Sequence, residues 1–193
     1  QMVRGPARDP RRDDNGPPKG SILPARGRDA MTVESLMGAS RAALRRRLEA
    51  GHAIDPTALD DTLYRGVSLG LPRLVEKMTW KTFFKAFHRD PAGHLRGWNV
   101  RAEQHGVEGP WVPRMRGDTP RCFGHFRVLD GVGDGQSLVL DYGQGGNRPL
   151  DPIGCLRDPL VALCPGDVDL LLGCSDLEIG GRTVRTPSYF VLI

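Results

Sequence analysis

Three polar residues in the second half of the chain carry side chains suited to acid–base chemistry. His125 stands in the middle of the alternating run 122–129, while Asp141 and Tyr142 close the apolar run 137–142. Imidazole, carboxyl and phenol groups can each give or take a proton in an active site. We therefore predict His125, Asp141 and Tyr142 as candidate acid–base residues. The alternative for His125 is a structural histidine on the outer face of its strand.

Four further residues could share a site with these three, either as polar groups or as aromatic walls. Small-molecule sites combine mainly apolar walls with a few polar groups. The predicted ligand-binding residues are Tyr64, Trp98, Arg101, Phe123, His125, Asp141 and Tyr142. Which of them face inward depends on strand register, because a slip of one residue inverts every side-chain assignment.

The chain contains none of the common short motifs of catalysis or metal binding. It has no phosphate-binding P-loop, no HExxH, no GxSxG and no EF-hand loop. Its four cysteines are spaced by 33, 9 and 10 residues, which matches no zinc site, and we expect reduced thiols. We predict no metal and no cofactor, and the catalytic residues stay unknown. Whether the protein is an enzyme is left open.

The positive charge is concentrated at the N-terminus. The net charge is +4, and residues 1–30 hold seven Lys or Arg against four Asp. These residues are also rich in proline and glycine and poor in large apolar side chains, which favours disorder. We predict a disordered basic tail over 1–31 and one β-rich domain over 32–193. Because the domain is nearly neutral, we predict no nucleic-acid partner.

Two segments have helical spacing of apolar residues. Residues 32–50 form the first, with Thr32 as the expected N-cap and Gly51 after the end. The second begins near Pro72, covers 72–79 and continues over 80–87 through its aromatic residues.

Short alternating runs separated by Gly and Pro turns predict about eight strands. The first is 62–69, with Leu63, Arg65, Val67 and Leu69 on one side and Tyr64 and Ser68 on the other. The later ones lie at 95–103, 111–116, 122–129, 137–142, 160–163, 169–178 and 188–193. This number and spacing suit a barrel or a sandwich. We predict a mainly β, antiparallel up-and-down barrel with an N-terminal helix and a helix after the first strand.

The order of these segments resembles that of the lipocalin-like, calycin-type barrel proteins with a Gly-x-Trp-x-Gly signature near their N-terminus. The resemblance rests on a helix before Tyr64-Arg65-Gly66, a helix and Trp80 after the first strand, the run 137–142 before an irregular Pro149/Asp151 segment, and the closing run 189–192. Tyr64-Arg65-Gly66 lacks the tryptophan and the first glycine of the signature. The resemblance implies a barrel fold and a small apolar ligand, and it carries over no catalytic residue.

Three functions follow from these patterns. The first is a soluble barrel that binds a small hydrophobic molecule. The second is a barrel-cavity enzyme, such as a cyclase, isomerase or hydrolase, that uses His125, Asp141 and Tyr142. The third is an interaction module that uses the basic tail and the arginines 45–47. With no secretory signal and no apolar run of 18 residues, we expect a cytoplasmic protein with no membrane partner. The sequence does not specify an oligomeric state.

Overall fold

The computed structural model describes residues 32–70, 81–131 and 137–193. Two helices precede the strands, α1 (Val33–Met37) and α2 (Arg41–Glu49). The strands are β1 (Thr62–Leu69), β2 (Thr82–Arg89), β3 (Leu95–Arg101), β4 (Met115–Arg116), β5 (Thr119–Pro120), β6 (Cys122–Asp130), β7 (Leu138–Asp141), β8 (Leu156–Ala162), β9 (Leu171–Ile179) and β10 (Arg182–Leu192).

Eight of these strands close into an antiparallel barrel in the order β1-β10-β9-β8-β7-β6-β3-β2. Each barrel strand pairs with its neighbour along the chain, and β4 with β5 forms a small separate hairpin between β3 and β6. The predicted mainly β, up-and-down barrel is confirmed. Closure pairs β1 with β10 as well as with β2, so this barrel has no free edge strand.

Strand alternation divides the side chains between the barrel interior and its outer surface. In β7, Leu138 and Leu140 join the interior core and Val139 points away from it. In β1, Tyr64 belongs to the interior core, whereas Val67 and Leu69 pack with the N-terminal helices outside. The predicted faces of this first strand therefore agree with the structure.

One end of the barrel is filled by apolar side chains. Ile54 and Leu59, which precede β1, pack there with inward residues of the strands. The Tyr64 and Phe87 rings meet edge to face with centroids 5.7 Å apart, and Phe87 meets Phe126 at 5.4 Å. Because this end is a packed core, any cavity must lie toward the other end, where β1 finishes and β2 begins.

Two glycines allow aromatic rings to lie close to the barrel wall. A Cβ atom at Gly66 would overlap the ring of Phe83 on the neighbouring strand. A Cβ atom at Gly173 would overlap the ring of Phe190 in the same way. Both rings are therefore seated against backbone, which leaves interior volume free beside them.

The helices α1 and α2 cover the outer face of β1, β9 and β10. Leu36 and Leu44 are fully buried against outward residues such as Val191. The single helix predicted over 32–50 is wrong in one respect, because it is interrupted between Met37 and Arg41. Ser40 caps α2 by accepting a hydrogen bond from the Ala43 amide at 3.2 Å, so the chain restarts rather than continues the helix.

The helix predicted over 80–87 is also wrong, because this segment belongs to β2 from Thr82 onward. Phe83, Lys85 and Phe87 face the interior, while Phe84 packs outside against Trp111 with ring centroids 5.8 Å apart. A strand that is buried on both faces loses the alternation by which strands are recognised, and helical spacing then arises by coincidence. The predicted helix over 72–79 and the predicted tail lie outside the described residues.

Candidate functional site

A cavity of about 500 Å³ lies inside the barrel at the end opposite the packed core. Its walls are mainly apolar and include Phe83, Phe123, Leu156, Leu177 and Phe190. Four buried polar side chains, from β2, β3, β8 and the turn after β7, also face the interior. They are Lys85, Asn99, Tyr142 and Asp158. The cavity thus has the composition of a small-molecule site.

Lys85, Tyr142 and Asp158 form a hydrogen-bonded chain, which we call the inner cluster. Lys85 Nζ donates to the Tyr142 hydroxyl at 2.8 Å, and that hydroxyl donates to Asp158 Oδ2 at 3.0 Å. Each of the three side chains is at most 3% exposed. A potential cation and a potential anion are therefore held in the barrel interior, with a phenol between them.

Burial shifts the ionisation of all three members. Desolvation lowers the pKa of Lys85 to about 8, although the Asp158 carboxylate acts in the opposite direction. Desolvation likewise raises the pKa of Asp158 to about 6, against the stabilising effects of Lys85 and the Tyr142 hydroxyl. Burial and Asp158 hold the pKa of Tyr142 well above its ordinary value, so the phenol stays protonated. Burial thus brings the pKa values of the lysine and the carboxyl group much closer together than they are in water, although the ammonium and carboxylate forms still predominate near neutral pH.

Aromatic rings surround the Lys85 amine. Its Nζ lies 4.7 Å from the ring centroid of Phe126 and 5.0 Å from that of Phe190. These contacts favour the ammonium form through cation–π attraction, yet they offer no hydrogen-bond acceptor beyond the phenol. Asp158 is also incompletely satisfied: its Oδ1 atom accepts no hydrogen bond of normal geometry from the described residues, although the Ser175 hydroxyl is close enough to lower the pKa of the carboxyl group. A buried polar atom in this state is available to a ligand.

A β-bulge in β6 aims Phe123 into the cavity. Gly97 pairs with Phe126 and Asn99 pairs with Phe123, so Gly124 and His125 together oppose the single residue Trp98. Gly124 adopts a φ of 55°, a conformation that favours glycine in such bulges. A Cβ atom there would also overlap the Ile153 side chain. The bulge makes Phe123 and Phe126 both face inward.

Asn147 fixes the same region from the loop after β7. Its side-chain amide donates to the His125 carbonyl at 2.7 Å, and its Oδ1 accepts from the His125 amide at 2.9 Å. The amide also donates to the Tyr142 carbonyl at 2.8 Å. One side chain therefore connects the bulge to the residue at the centre of the inner cluster.

The structure brings two of the predicted ligand-binding residues to the cavity, namely Phe123 and Tyr142. Arg101 lies nearby, with Cζ 5.5 Å from the Phe123 ring centroid. Tyr64 lies in the packed core, in contact with Phe87. Ligand contact by any of these residues stays a prediction.

Trp98, His125 and Asp141, like Tyr64 and Arg101, lie outside the set of residues that lines the cavity. His125 is exposed, and its ring centroid lies 6.2 Å from that of Trp98. Asp141 is buried and forms an ion pair with Arg157 at 2.9 Å. The bulge explains the position of His125, because it separates His125 from the face occupied by Phe123.

Sequence reasoning missed Lys85, Asn99 and Asp158. Lys85 stands among aromatic residues, and such a charge in a run buried on both sides is a signal for a functional site. The helical interpretation of 80–87 assigned it to a polar edge instead. Asp158 gave no local signal, because its flanking residues Arg157 and Pro159 are typical of an exposed turn.

Other candidate chemistry is sparse in the described residues. They contain no group of three or more His, Cys, Asp or Glu that could hold a metal ion. All four cysteines are free, and only Cys174 is buried. Within the same residues, no helix is long and apolar enough to cross a membrane.

The closed antiparallel barrel is compatible with a lipocalin-like fold. No protein-family model, curated protein or solved structure matches the chain. The function must therefore be inferred from the cavity and its polar residues.

Proposed function

We propose that the barrel binds one small, mainly apolar molecule in its cavity, with a polar group of that molecule directed at the inner cluster. The observation that carries this proposal is the cavity of about 500 Å³, whose apolar walls end at the buried Lys85–Tyr142–Asp158 chain. Sites of this size accommodate drug-sized or smaller ligands.

The charges of the inner cluster favour a neutral ligand. The Lys85 ammonium is already balanced by the Asp158 carboxylate, so an acidic ligand would add an uncompensated charge to the barrel interior. Asp158 Oδ1 can accept a hydrogen bond, and the lysine can donate one. Carbonyl and hydroxyl compounds with an apolar body fit these groups.

A neutral fluorescent probe tests the proposal. N-phenyl-1-naphthylamine should bind one site in the full-length protein and gain fluorescence as it leaves water. In the variant Leu177→Trp, a larger side chain fills the cavity, and we expect at least a tenfold loss of affinity. Glu178→Trp is the matched control, because Glu178 is the next residue of β9 and is exposed.

The comparison of the two variants decides the outcome. Equal probe binding by both variants would show that the probe binds elsewhere and would overturn the proposal. Native mass spectrometry of protein purified from its own host then identifies any retained molecule. A neutral apolar compound that N-phenyl-1-naphthylamine displaces is the expected result.

A further inference from the structure

Lysine is rare in this chain, and one lysine lies in the cavity. Of the 27 basic residues only four are lysines, namely Lys19, Lys77, Lys81 and Lys85. Among the described residues, Lys81 is half-buried at the start of β2, and Lys85 is 1% exposed. Arginine serves as the cation in the ion pairs on the outer surface, such as those of Arg157 and Arg185. Arginine cannot act as a nucleophile at ordinary pH, whereas a desolvated lysine can.

The contacts of Lys85 leave its nitrogen suited to reaction. The carboxylate of Asp158 is reached only through the Tyr142 hydroxyl, by hydrogen bonds of 2.8 and 3.0 Å. The other near neighbours of Nζ are the faces of Phe126 and Phe190. A proton acceptor and a proton donor therefore stand beside the amine, while its approach from the cavity is lined by apolar groups.

We propose that Lys85 forms an imine with a neutral aldehyde bound in the cavity. The inference rests on the proposed function, since the aldehyde must first occupy the same site. It assigns the ligand a chemical class, an apolar aldehyde, and it assigns Lys85 a covalent role.

The reaction balances with the inner cluster alone. It starts from the neutral amine of Lys85 and the protonated carboxyl of Asp158. The amine nitrogen attacks the carbonyl carbon, and the proton that nitrogen loses passes to the oxygen through Tyr142, giving a carbinolamine. Asp158 then protonates the hydroxyl group, which leaves as water while the nitrogen lone pair forms the C=N bond. The products are a protonated imine, an Asp158 carboxylate that balances its charge, and one water.

The lowered pKa favours reaction at this lysine over reaction at a lysine in water. With a pKa of about 8, roughly one Lys85 in ten is neutral at pH 7, far more than for a lysine in water. Asp158 and Tyr142 are the titratable groups that face it: the Asp158 carboxylate can hold the proton that Lys85 loses, and the Tyr142 hydroxyl can relay it. A minor fraction of the molecules therefore holds the neutral amine beside a protonated carboxyl group near neutral pH.

Reductive trapping tests the proposal in the full-length protein. The protein is incubated with 2-naphthaldehyde and sodium cyanoborohydride at pH 7, and its peptides are mapped by mass spectrometry. The hydride reduces an imine to a stable secondary amine, so the modified lysine gains the mass of the probe less one oxygen. We expect this adduct on Lys85 in at least tenfold excess over Lys19, Lys77 and Lys81, because a far larger fraction of Lys85 is neutral amine at pH 7 than of a lysine in water. Lys85→Arg should abolish it, and Lys81→Arg should not.

A second probe separates this proposal from the proposed function. The alcohol 2-naphthalenemethanol has the same apolar body but cannot form an imine, and we expect it to displace N-phenyl-1-naphthylamine. Displacement by the alcohol together with no preferred adduct on Lys85 overturns the imine and leaves the binding function standing. Absence of displacement overturns both. The mapping of the wild-type protein decides the case even if the Lys85→Arg variant does not fold.

Discussion

Arg157 and Asp158 are consecutive residues of β8, yet they belong to two very different charge clusters. Outside the barrel, Arg157 pairs directly with Asp141 at 2.9 Å and with Glu178 at 3.1 Å. Inside, Asp158 reaches Lys85 only through the Tyr142 hydroxyl. We call these residues outside the barrel the outer cluster. Its ion pairs are direct and partly exposed, whereas the inner cluster holds its charges apart in an apolar interior.

Strand register explains how the outer cluster stabilises the barrel. In the strand register, Asp141 lies opposite Arg157, Arg157 lies opposite Asp176, and Asp176 lies opposite Arg185. Opposite charges therefore alternate across β7, β8, β9 and β10. Opposite charges on adjacent strands contribute favourably to a sheet, and a shift of register would break the row. The inner cluster has no such explanation, because a buried ion pair is often no better than apolar residues of the same volume. This difference favours a functional reason for the inner cluster.

Removing one carboxylate from each cluster should give the largest contrast. Asp158→Leu leaves the Lys85 amine buried without its counter-charge, and we expect a loss of about 3–5 kcal/mol in the free energy of unfolding at pH 7. Glu178→Leu removes a partner that is 42% exposed and should cost at most about 1 kcal/mol. Urea denaturation of both variants measures the difference. Similar losses would mean that the inner cluster is as hydrated as the outer one.

The pH dependence of stability is the next largest effect. Because the pKa of Asp158 is raised from 3.8 to about 6, the folded state holds a proton that the unfolded chain has released, and stability falls as the pH rises through this range. Because the pKa of Lys85 is lowered from 10.5 to about 8, the unfolded chain keeps the proton longer, and stability rises from about pH 8 to 10.5. The inner cluster should therefore stabilise the protein least between pH 6 and 8.

The double variant Lys85→Met/Asp158→Leu is the reference for that measurement. The free energy of unfolding of this variant minus that of the wild type, measured from pH 4 to 10, should be largest between pH 6 and 8. Between about pH 4 and pH 6, the difference in the free energy of unfolding between the two proteins should change by roughly 3 kcal/mol, because the pKa of Asp158 is raised by about two units. A difference between the two proteins that does not vary with pH would rule out the shifted ionisation of both residues.

Added salt should produce the smallest effect and should act on one cluster only. The cost of Glu178→Gln should fall by roughly 0.3 kcal/mol between low salt and 1 M NaCl, because salt screens exposed pairs. The cost of Asp158→Asn should not change, since ions do not enter the apolar interior. Thermal denaturation at the two salt concentrations provides the comparison. A matching decrease for Asp158→Asn would place the inner cluster in contact with solvent.

The barrel could be predicted from the sequence because its turns and many of its strands are indicated by local sequence patterns. Strand 62–69 was predicted with its correct faces, since Tyr64 and Ser68 are inward and Val67 and Leu69 are outward. The helix prediction failed for the β2 residues 82–87. Their structure is decided by hydrogen bonds to the neighbouring strands and by burial of both faces, rather than by local periodicity.

The cavity was harder to predict because its residues meet only through long-range pairing. Lys85 and Asn99 face each other across β2 and β3, and Asp158 arrives from a strand nearly sixty residues later. Phe123 and His125 should share a face by alternation, and the bulge at Gly124 separates them. No pattern in the sequence alone specifies that bulge, because it depends on Asn147 and on packing against Ile153.

Gly66 and Gly173 limit the size of the molecule that the barrel can accept, although neither lines the cavity. Each allows a ring, Phe83 or Phe190, to lie against the wall, and a methyl group at either glycine would push that ring inward. Ligand size could thus be retuned by one methyl group, while Lys85, Tyr142 and Asp158 keep their positions. Related barrels could diverge in ligand preference by this route and retain the same reactive residues.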